Sequence, residues 1–399
     1  MTADIGLYVH LPWCVSKCPY CDFNSHALRG ELPENAYLEA LRRDLAFEAS
    51  LLAGRRVRTV FFGGGTPSLF SGAGLGAFVA AIGAEVTLAD DAEITIEANP
   101  GTLDRARLDA WRRAGVNRLS IGAQSFSAQS LQRLGRIHGP DEIATAVAAA
   151  RGAGFDNFNL DLMYALPHQS LAGAVADVDA ALALGPRHVS HYQLTLEPNT
   201  RFHHEPPPLP DTDAADEMQL ACAERLAHAG LVHYEISAWA RPGDECRHNL
   251  GYWRFGDYAG IGAGAHGKLT GPDGVRRRVR IAHPDSYRRR AGTADALHEH
   301  RPDPDTLVFE FLLNVLRLRE GFALAALEAA AGQPPPDLEA RLEAARGRGL
   351  LDDDGHGWWR PTPLGERFVD DILLGFLPAG APPDRPSREA PHTPRYAQR

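Results

Sequence analysis

The spacing Cys14-x3-Cys18-x2-Cys21, set within Tyr8-Val9-His10-Leu11-Pro12-Trp13-Cys14-Val15-Ser16-Lys17-Cys18-Pro19-Tyr20-Cys21-Asp22-Phe23, restricts this chain more than any other feature. Thiolates packed this closely in sequence call for a metal. A cubane [4Fe–4S] cluster held by three cysteines keeps one iron without a protein thiolate, and that iron can take a small-molecule ligand. The spacing leaves a second reading open, a structural zinc on Cys14, Cys18, Cys21 and His26. Zinc motifs, however, usually pair their cysteines as separated C-x2-C units.

Composition narrows the class. With 399 residues, 44% hydrophobic and 23% charged, the chain is long enough for one large domain and a smaller one. No apolar run approaches the length a bilayer needs, and Met1-Thr2-Ala3-Asp4 lacks the basic start of a signal peptide. Five cysteines, three of them clustered, suit a reducing compartment better than a disulfide framework, so a cytoplasmic location is expected. A formal charge of −10 without a basic block argues against nucleic acid as a partner.

Short β-rich runs alternate with longer helical stretches. The runs are Ile5–His10, Thr59–Phe62, Glu93–Glu97, Arg118–Gly122, Asn157–Leu162 and His188–Leu196. Helical patterns fall near Glu34–Leu52, Gly72–Ile82, Leu103–Ala114, Pro140–Ala153 and Leu171–Leu184. Repeated βα units predict a parallel sheet, because parallel neighbours need crossover connections. Alternation does not separate an open sheet from a barrel. Gly63-Gly64-Gly65-Thr66-Pro67 directly follows the second run, and glycines there let backbone approach a ligand or simply make a turn. Glu97 ends the third run and can accept hydrogen bonds from hydroxyls. Asp161 sits inside an apolar strand, where a carboxylate wants a ligand, a cation or a structural hydrogen bond.

With Tyr20 as the aromatic, the cysteine run resembles the C-x3-C-x-aromatic-C signature of the radical S-adenosylmethionine (SAM) superfamily. The resemblance implies an α/β fold, a partial (β/α)6 barrel with its site at the carboxyl ends of the strands. It also implies a [4Fe–4S] cluster on Cys14, Cys18 and Cys21 whose open iron chelates SAM, and reductive cleavage of SAM to a 5′-deoxyadenosyl radical. The glycine run resembles the family's GGGTP motif, which implicates Gly64, Gly65 and Thr66 in SAM binding. Tyr8, Tyr20, Glu97, Gln124, Arg136 and Asp161 are implied as further SAM contacts, the last three by likeness to the oxygen-independent coproporphyrinogen oxidase branch. Ala165 stands where that branch usually has glycine.

Two features bear on the place within that branch. The oxidases carry a fourth cysteine where this chain has Phe23, and a long extension ahead of the cluster; here the cluster begins at Cys14. Arg247-His248-Asn249-Leu250-Gly251-Tyr252-Trp253 resembles the HNxxYW motif of HemW-type heme chaperones, which implies His248 as a heme ligand with Tyr and Trp rings packing on the porphyrin. By its chemistry alone, a histidine beside aromatics is more often a satisfied structural residue than a ligand. Cys246 is either a second ligand or a free thiol, and Cys222 a small buried hydrophobe. The run Gly256–Gly267 is expected to line the SAM or porphyrin cavity, with a tight turn as the alternative.

Residues 1–300 are therefore expected to form the barrel with its heme-motif extension, and 301–377 a small winged-helix-like α+β unit. That unit is read from helices Leu307–Leu318, Ala323–Ala331 and Leu338–Arg346, strands Leu350–Asp353 and Trp358–Arg360, and a final helix capped by Thr362 and running to about Gly375. Asp352, Asp353 and Asp354 in its hairpin would repel phosphate, which favours a lid or partner-docking role. Residues 378–399, rich in Pro and polar side chains, are expected to be disordered. The resemblance implies a heme chaperone that delivers heme to acceptor proteins such as respiratory cytochromes, including peripheral contact with membrane-bound acceptors. The alternatives are a radical SAM coproporphyrinogen III oxidase and a radical SAM enzyme on another substrate.

Overall fold

The computed structural model describes residues 4–332 and 334–378. Six strands, β1 (Ile5–Leu11), β2 (Val57–Gly64), β3 (Leu88–Ala98), β4 (Arg118–Gln124), β5 (Phe158–Tyr164) and β6 (His188–Gln193), lie side by side in chain order, all parallel. Helices Glu34–Leu52, Gly72–Glu85, Arg105–Arg113, Pro140–Gly152 and Leu171–Ala183 make the crossovers. Each run expected to be a strand contains one, the last ending at Gln193 rather than Leu196, and the expected helix Glu34–Leu52 matches to the residue.

The sheet is wider than six strands. It continues through β7 (Val232–Glu235), β8 (Ala238–Ala240), β9 (Tyr258–Ile261), β10 (His266–Gly271), β11 (Gly274–Arg280) and β12 (Leu297–His300). The order is β12-β11-β10-β9-β1-β2-β3-β4-β5-β6-β8-β7. β9 pairs parallel with β1, while β10 to β12 and β8 to β7 extend the two sides antiparallel. The run Gly256–Gly267, expected at the cavity, instead forms β9 and the turn beyond it, and none of it lines the cavity described below. Its small residues serve close backbone packing: a side chain at Gly262 would strike the backbone oxygen of His10.

Strand alternation sorts the side chains. On β4, Leu119, Ile121 and Ala123 join the core under the helices, while Arg118, Ser120 and Gly122 face the opposite side. On β5, Phe158, Leu160 and Leu162 pack outward and Asn159 and Asp161 inward. One face of the parallel strands thus makes the core, and the other makes a polar interior.

The C-terminal unit has helices Pro304–Val315, Leu324–Ala331 and Leu338–Gly347, with β13 (Phe322–Ala323), β14 (Leu351–Asp353) and β15 (Trp358–Pro361) ordered β13-β15-β14. The two-residue β13 carries too little pattern to be foreseen. Thr362 caps as expected, its Oγ1 accepting the Gly365 N–H at 3.0 Å. The helix beyond it is not continuous: Phe368, at φ −122 and ψ 39, divides it into Pro363–Arg367 and Val369–Leu374. The unit's apolar core takes in Phe255 and Val275 from the sheet side. The expected disordered end lies outside the described residues apart from Pro378. Among the described residues no helix is long and apolar enough to cross a membrane.

A buried ionic cluster ties β11 to the first crossover helix. The Arg280 Nε donates to Asp44 Oδ2 at 3.0 Å, its Nη2 pairs with both Asp44 and Glu48, and Arg278 pairs with Glu48. Tyr287 donates to the same Asp44 oxygen at 2.7 Å. Removing one partner of such a cluster leaves an uncompensated buried charge. Arg280→Leu is therefore expected to destabilise the protein by about 3–5 kcal/mol, read as a lower midpoint in urea at unchanged slope.

Candidate functional site

At the carboxyl end of β1 the chain enters the cysteine loop, and at the end of β2 it makes the glycine turn. The two are joined backbone to backbone: Gly65 N–H donates to Leu11 O at 2.8 Å and Thr66 N–H to Trp13 O at 2.7 Å. The approach demands glycine. A Cβ on Gly65 would meet the Trp13 carbonyl oxygen at 2.6 Å, and Gly64 combines φ +113 with the His10 ring at 2.5 Å from where its Cβ would lie. Gly64 N–H also donates to Glu97 Oε2 at 3.2 Å, which fixes that carboxylate at the end of β3.

Arg136 bridges the loop and β4, its Nη2 donating to Gly122 O at 2.9 Å and its Nη1 lying 3.7 Å from Cys18 Sγ. Gln124, held at φ +69, accepts from the Tyr192 hydroxyl at 2.8 Å. Ala165 likewise adopts φ +55, a conformation that glycine enters without strain. Asp161 accepts from Asn159 Nδ2 at 2.7 Å and Ser120 Oγ at 3.4 Å; burial raises its pKa against those hydrogen bonds. Tyr20 is buried against Leu134, Met163 and Phe202. Tyr8 hydrogen-bonds to the His10 ring at 3.0 Å.

One cavity brings all the expected residues together: Cys14, Cys18, Cys21, Tyr8, Tyr20, Gly64, Gly65, Thr66, Glu97, Gln124, Arg136, Asp161 and His248. The donor set suits an iron–sulfur cluster: the three cysteines form no disulfide and line the cavity, with a guanidinium beside Cys18. Among the described residues no His, Cys, Asp or Glu side chains gather in threes around a point suited to one metal ion. His26, the fourth ligand of the zinc reading, hydrogen-bonds to Asn24 Oδ1 at 3.3 Å, packs on His283 and does not line the cavity. For SAM, the glycine turn offers close backbone approach, and Glu97, Gln124 and Asp161 offer oxygen acceptors.

The heme motif occupies the other end. Helix Arg247–Trp253 lies against the beginnings of the strands: His248 N–H donates to Glu93 Oε1 at 3.0 Å, and His248 Nδ1 is bonded to Thr59 Oγ1 at 2.8 Å. Its Nε2 is bonded to the Tyr252 hydroxyl at 2.7 Å, and the ring stacks on Phe61 at 5.0 Å. Burial, then the charge of Arg118, lowers the His248 pKa to about 3, so the imidazole is neutral. Both ring nitrogens are engaged, and the residue reaches the cavity from within a packed helix. Trp253 is not available to a porphyrin. It is buried under the Arg317 guanidinium, 4.3 Å from the ring centroid, and does not line the cavity. Cys246 is likewise off the cavity, its thiol beside Glu93 and its pKa pushed up by burial to about 12. Cys222 is fully buried, as expected of a small hydrophobe.

Sequence reading missed the residues between the two ends. Arg118, Ser120, Asn159, His188, Ser190 and Tyr192 line the same cavity. Asn159 is a hub: its Oδ1 accepts from Ser190 N–H at 2.9 Å and bonds to His188 Nδ1 at 2.7 Å, while its Nδ2 donates to Ser120 Oγ at 2.8 Å. The available signal was the polar phase of β4 to β6, alternating with Leu119, Ile121, Leu160 and Val189.

Residues 8–181 match the radical SAM superfamily and residues 303–368 the HemN C-terminal domain. The chain is 46% identical to the heme chaperone HemW of Escherichia coli (strain K12), over 94% of this chain and 98% of the relative. It is 38% identical to the heme chaperone HemW of Mycobacterium tuberculosis (strain ATCC 25618 / H37Rv), over 88% of this chain and 89% of the relative. Among solved structures, coproporphyrinogen III oxidase (HemN) from Escherichia coli, a radical SAM enzyme, superposes with a TM-score of 0.79. That alignment covers 94% of this chain and 90% of the other at 23% identity, a likeness of fold.

Two outcomes follow from this geometry. Gly65→Ala forces the cysteine loop off the turn, so iron per chain after anaerobic reconstitution is expected to fall well below wild type while far-UV circular dichroism is retained. Burial lowers the pKa of His10, His138 and His191 to about 4 and that of His248 to about 3. Below an ordinary histidine pKa of about 6.5 the unfolded chain binds protons that the folded chain refuses, so stability falls as pH drops. Asp161 and Asp177, raised by burial, offset part of this. The melting temperature of the metal-free protein is expected to decline steadily from about pH 6.5 to about pH 4.

Proposed function

Because the chain belongs to the radical SAM superfamily and, within it, to the family of the heme chaperone HemW, we propose that it is itself a heme chaperone that binds heme and hands it to acceptor proteins such as respiratory cytochromes. The observation that carries the reading is the single cavity joining the thiols of Cys14, Cys18 and Cys21 to the imidazole of His248. A cofactor site and a cargo site then share one interior.

Cys14, Cys18 and Cys21 would hold a [4Fe–4S] cluster, with Arg136 placing positive charge beside the sulfur of Cys18. When bound, the cluster supplies an electron source and one open iron for SAM. Gly64, Gly65 and Thr66 would present backbone to SAM, and Tyr8, Tyr20, Glu97, Gln124, Arg136 and Asp161, which line the same cavity, would contact it. Gly64 N–H and the Tyr192 hydroxyl hold the Glu97 and Gln124 side chains in place.

At the opposite end, His248 is neutral, the form that ligates iron. Thr59 holds Nδ1 and orients the ring, and heme ligation at Nε2 replaces the Tyr252 hydrogen bond. Phe23 adds an apolar wall at the position where the oxidase branch has its fourth cysteine, which favours cargo binding over porphyrinogen decarboxylation. A cytoplasmic protein of this kind meets membrane-bound acceptors peripherally. We assign residues 1–300 to the cofactor and heme sites and residues 301–377 to closing the barrel and meeting acceptors.

The test is an anaerobic titration of the cluster-reconstituted protein with hemin, followed by the Soret band, wild type beside His248→Ala. Wild type is expected to saturate near one heme per chain, and the variant to bind at least about tenfold more weakly with a shifted band. Wild-type behaviour of the variant moves the ligand elsewhere. Absence of saturable binding by wild type overturns the chaperone and points to turnover of a porphyrinogen.

A further inference from the structure

Deep in the cavity stands a guanidinium that the proposed roles leave without work. Arg118 opens β4, is 2% exposed and lines the cavity. Among the described residues its Nε is buried without a hydrogen-bond partner. Buried arginines ordinarily satisfy several of their five donors, and leaving a charged donor unpaired is costly.

The acids nearby are committed elsewhere. Glu93 accepts from the backbone N–H groups of Arg247 and His248 at 3.1 and 3.0 Å and from the Cys246 thiol. Asp161 accepts from Asn159 and Ser120. Both lie within electrostatic reach of Arg118, as do Tyr234 and Cys246, but neither acid forms an ion pair with it among the described residues. In register beside Arg118, Thr95 has a fully buried hydroxyl that is also without a partner. Ser120, Asn159, His188 and Ser190 add hydroxyl, amide and imidazole groups to the same wall.

Position sets Arg118 apart from the cofactor end. At about 3.3 Å per residue along a strand, the Cα of Arg118 lies roughly 13 Å from that of Gly122. Arg136 meets the Gly122 carbonyl and reaches Cys18 from there. The cofactor end already has its own guanidinium. Arg118 instead shares the closed end with His248, whose ring feels its charge.

We propose that Arg118 is the carboxylate anchor of the cargo site, its guanidinium taking a propionate of the heme whose iron His248 holds. This rests on the heme reading above. A macrocycle ligated through its centre presents its carboxylates at its rim, so the group that receives one stands near the axial ligand without touching it. An arginine fork matches a carboxylate in geometry and charge, and burial away from water strengthens the pair.

The test compares hemin with hemin dimethyl ester, which keeps the iron and the ring but lacks the carboxylates, on cluster-reconstituted full-length protein. Wild type is expected to bind hemin about 10- to 100-fold more tightly than the ester. Arg118→Gln should remove that preference by weakening hemin alone, and Arg118→Lys should restore part of it. The wild-type comparison needs no variant, so a misfolded substitution does not decide the matter. Equal affinity of wild type for both probes overturns the anchor while leaving the chaperone intact. A preference that survives in folded Arg118→Gln also overturns it, because the carboxylate is then read elsewhere. If wild type binds neither probe, the chaperone reading itself has failed, and the propionate anchor fails with it.

Discussion

Everything at the carboxyl end of the sheet depends on the direct backbone contact between the loop after β1 and the turn after β2. The two hydrogen bonds from Gly65 and Thr66 to Leu11 and Trp13 form only because nothing larger than hydrogen stands on Gly65. With that seam closed, the cysteines are presented over the strand ends, and Gly64 N–H is free to hold Glu97. Backbone contacts of this kind position a reactive loop more rigidly than side-chain packing, because backbone donors and acceptors carry no rotamer freedom.

The second constraint is the phase of the strands. A parallel sheet covered by helices on one face must put its apolar phase there, and that frees the other phase for polar residues. On β2 to β6 this phase carries Thr59, Glu93, Glu97, Arg118, Ser120, Asn159, Asp161, His188 and Ser190. Such groups are tolerated in the interior because they satisfy one another, with Asn159 bonding to Ser120, Asp161, His188 and Ser190. The network stops short at Arg118, whose Nε has no partner and whose side chain lines the space that a ligand would fill.

Most of the parallel fold could be read from the chain because its signals are local. Helix Glu34–Leu52 shows its buried stripe at Leu38, Leu41, Leu45 and Leu52, and the strands stand out as short apolar runs between helical stretches. The placement of the cysteine, glycine and strand-end residues in one cavity was legible for the same reason, each lying next to a recognisable strand end. β9 was hidden because Tyr258-Ala259-Gly260-Ile261 reads as a glycine-rich loop; its strand character comes from pairing with β1, some 250 residues away. The surroundings of His248 were hidden for a related reason, since its partners Thr59 and Glu93 lie 189 and 155 residues distant. A motif can announce a histidine and an adjacent tryptophan, but only the fold shows that Trp253 turns to Arg317 while His248 turns to the cavity.

That division of labour within one short helix links the cavity to the C-terminal unit. Arg317, just beyond helix Pro304–Val315, lies over Trp253, donates to Glu235 at 2.9 Å and to Ser237 at 3.2 Å, and accepts the Ile236 N–H through its carbonyl. Glu235 and Ser237 themselves line the cavity, so one buried guanidinium touches the helix that carries His248 and the wall facing it. Arg277 and Glu310 make a second buried pair across the same junction at 2.6 Å. Buried charges are held in place by the cost of leaving either partner alone. The C-terminal unit therefore cannot shift relative to the cavity's closed end without uncovering Glu235 or Glu310, and the position of His248 is set as much by that unit as by the barrel.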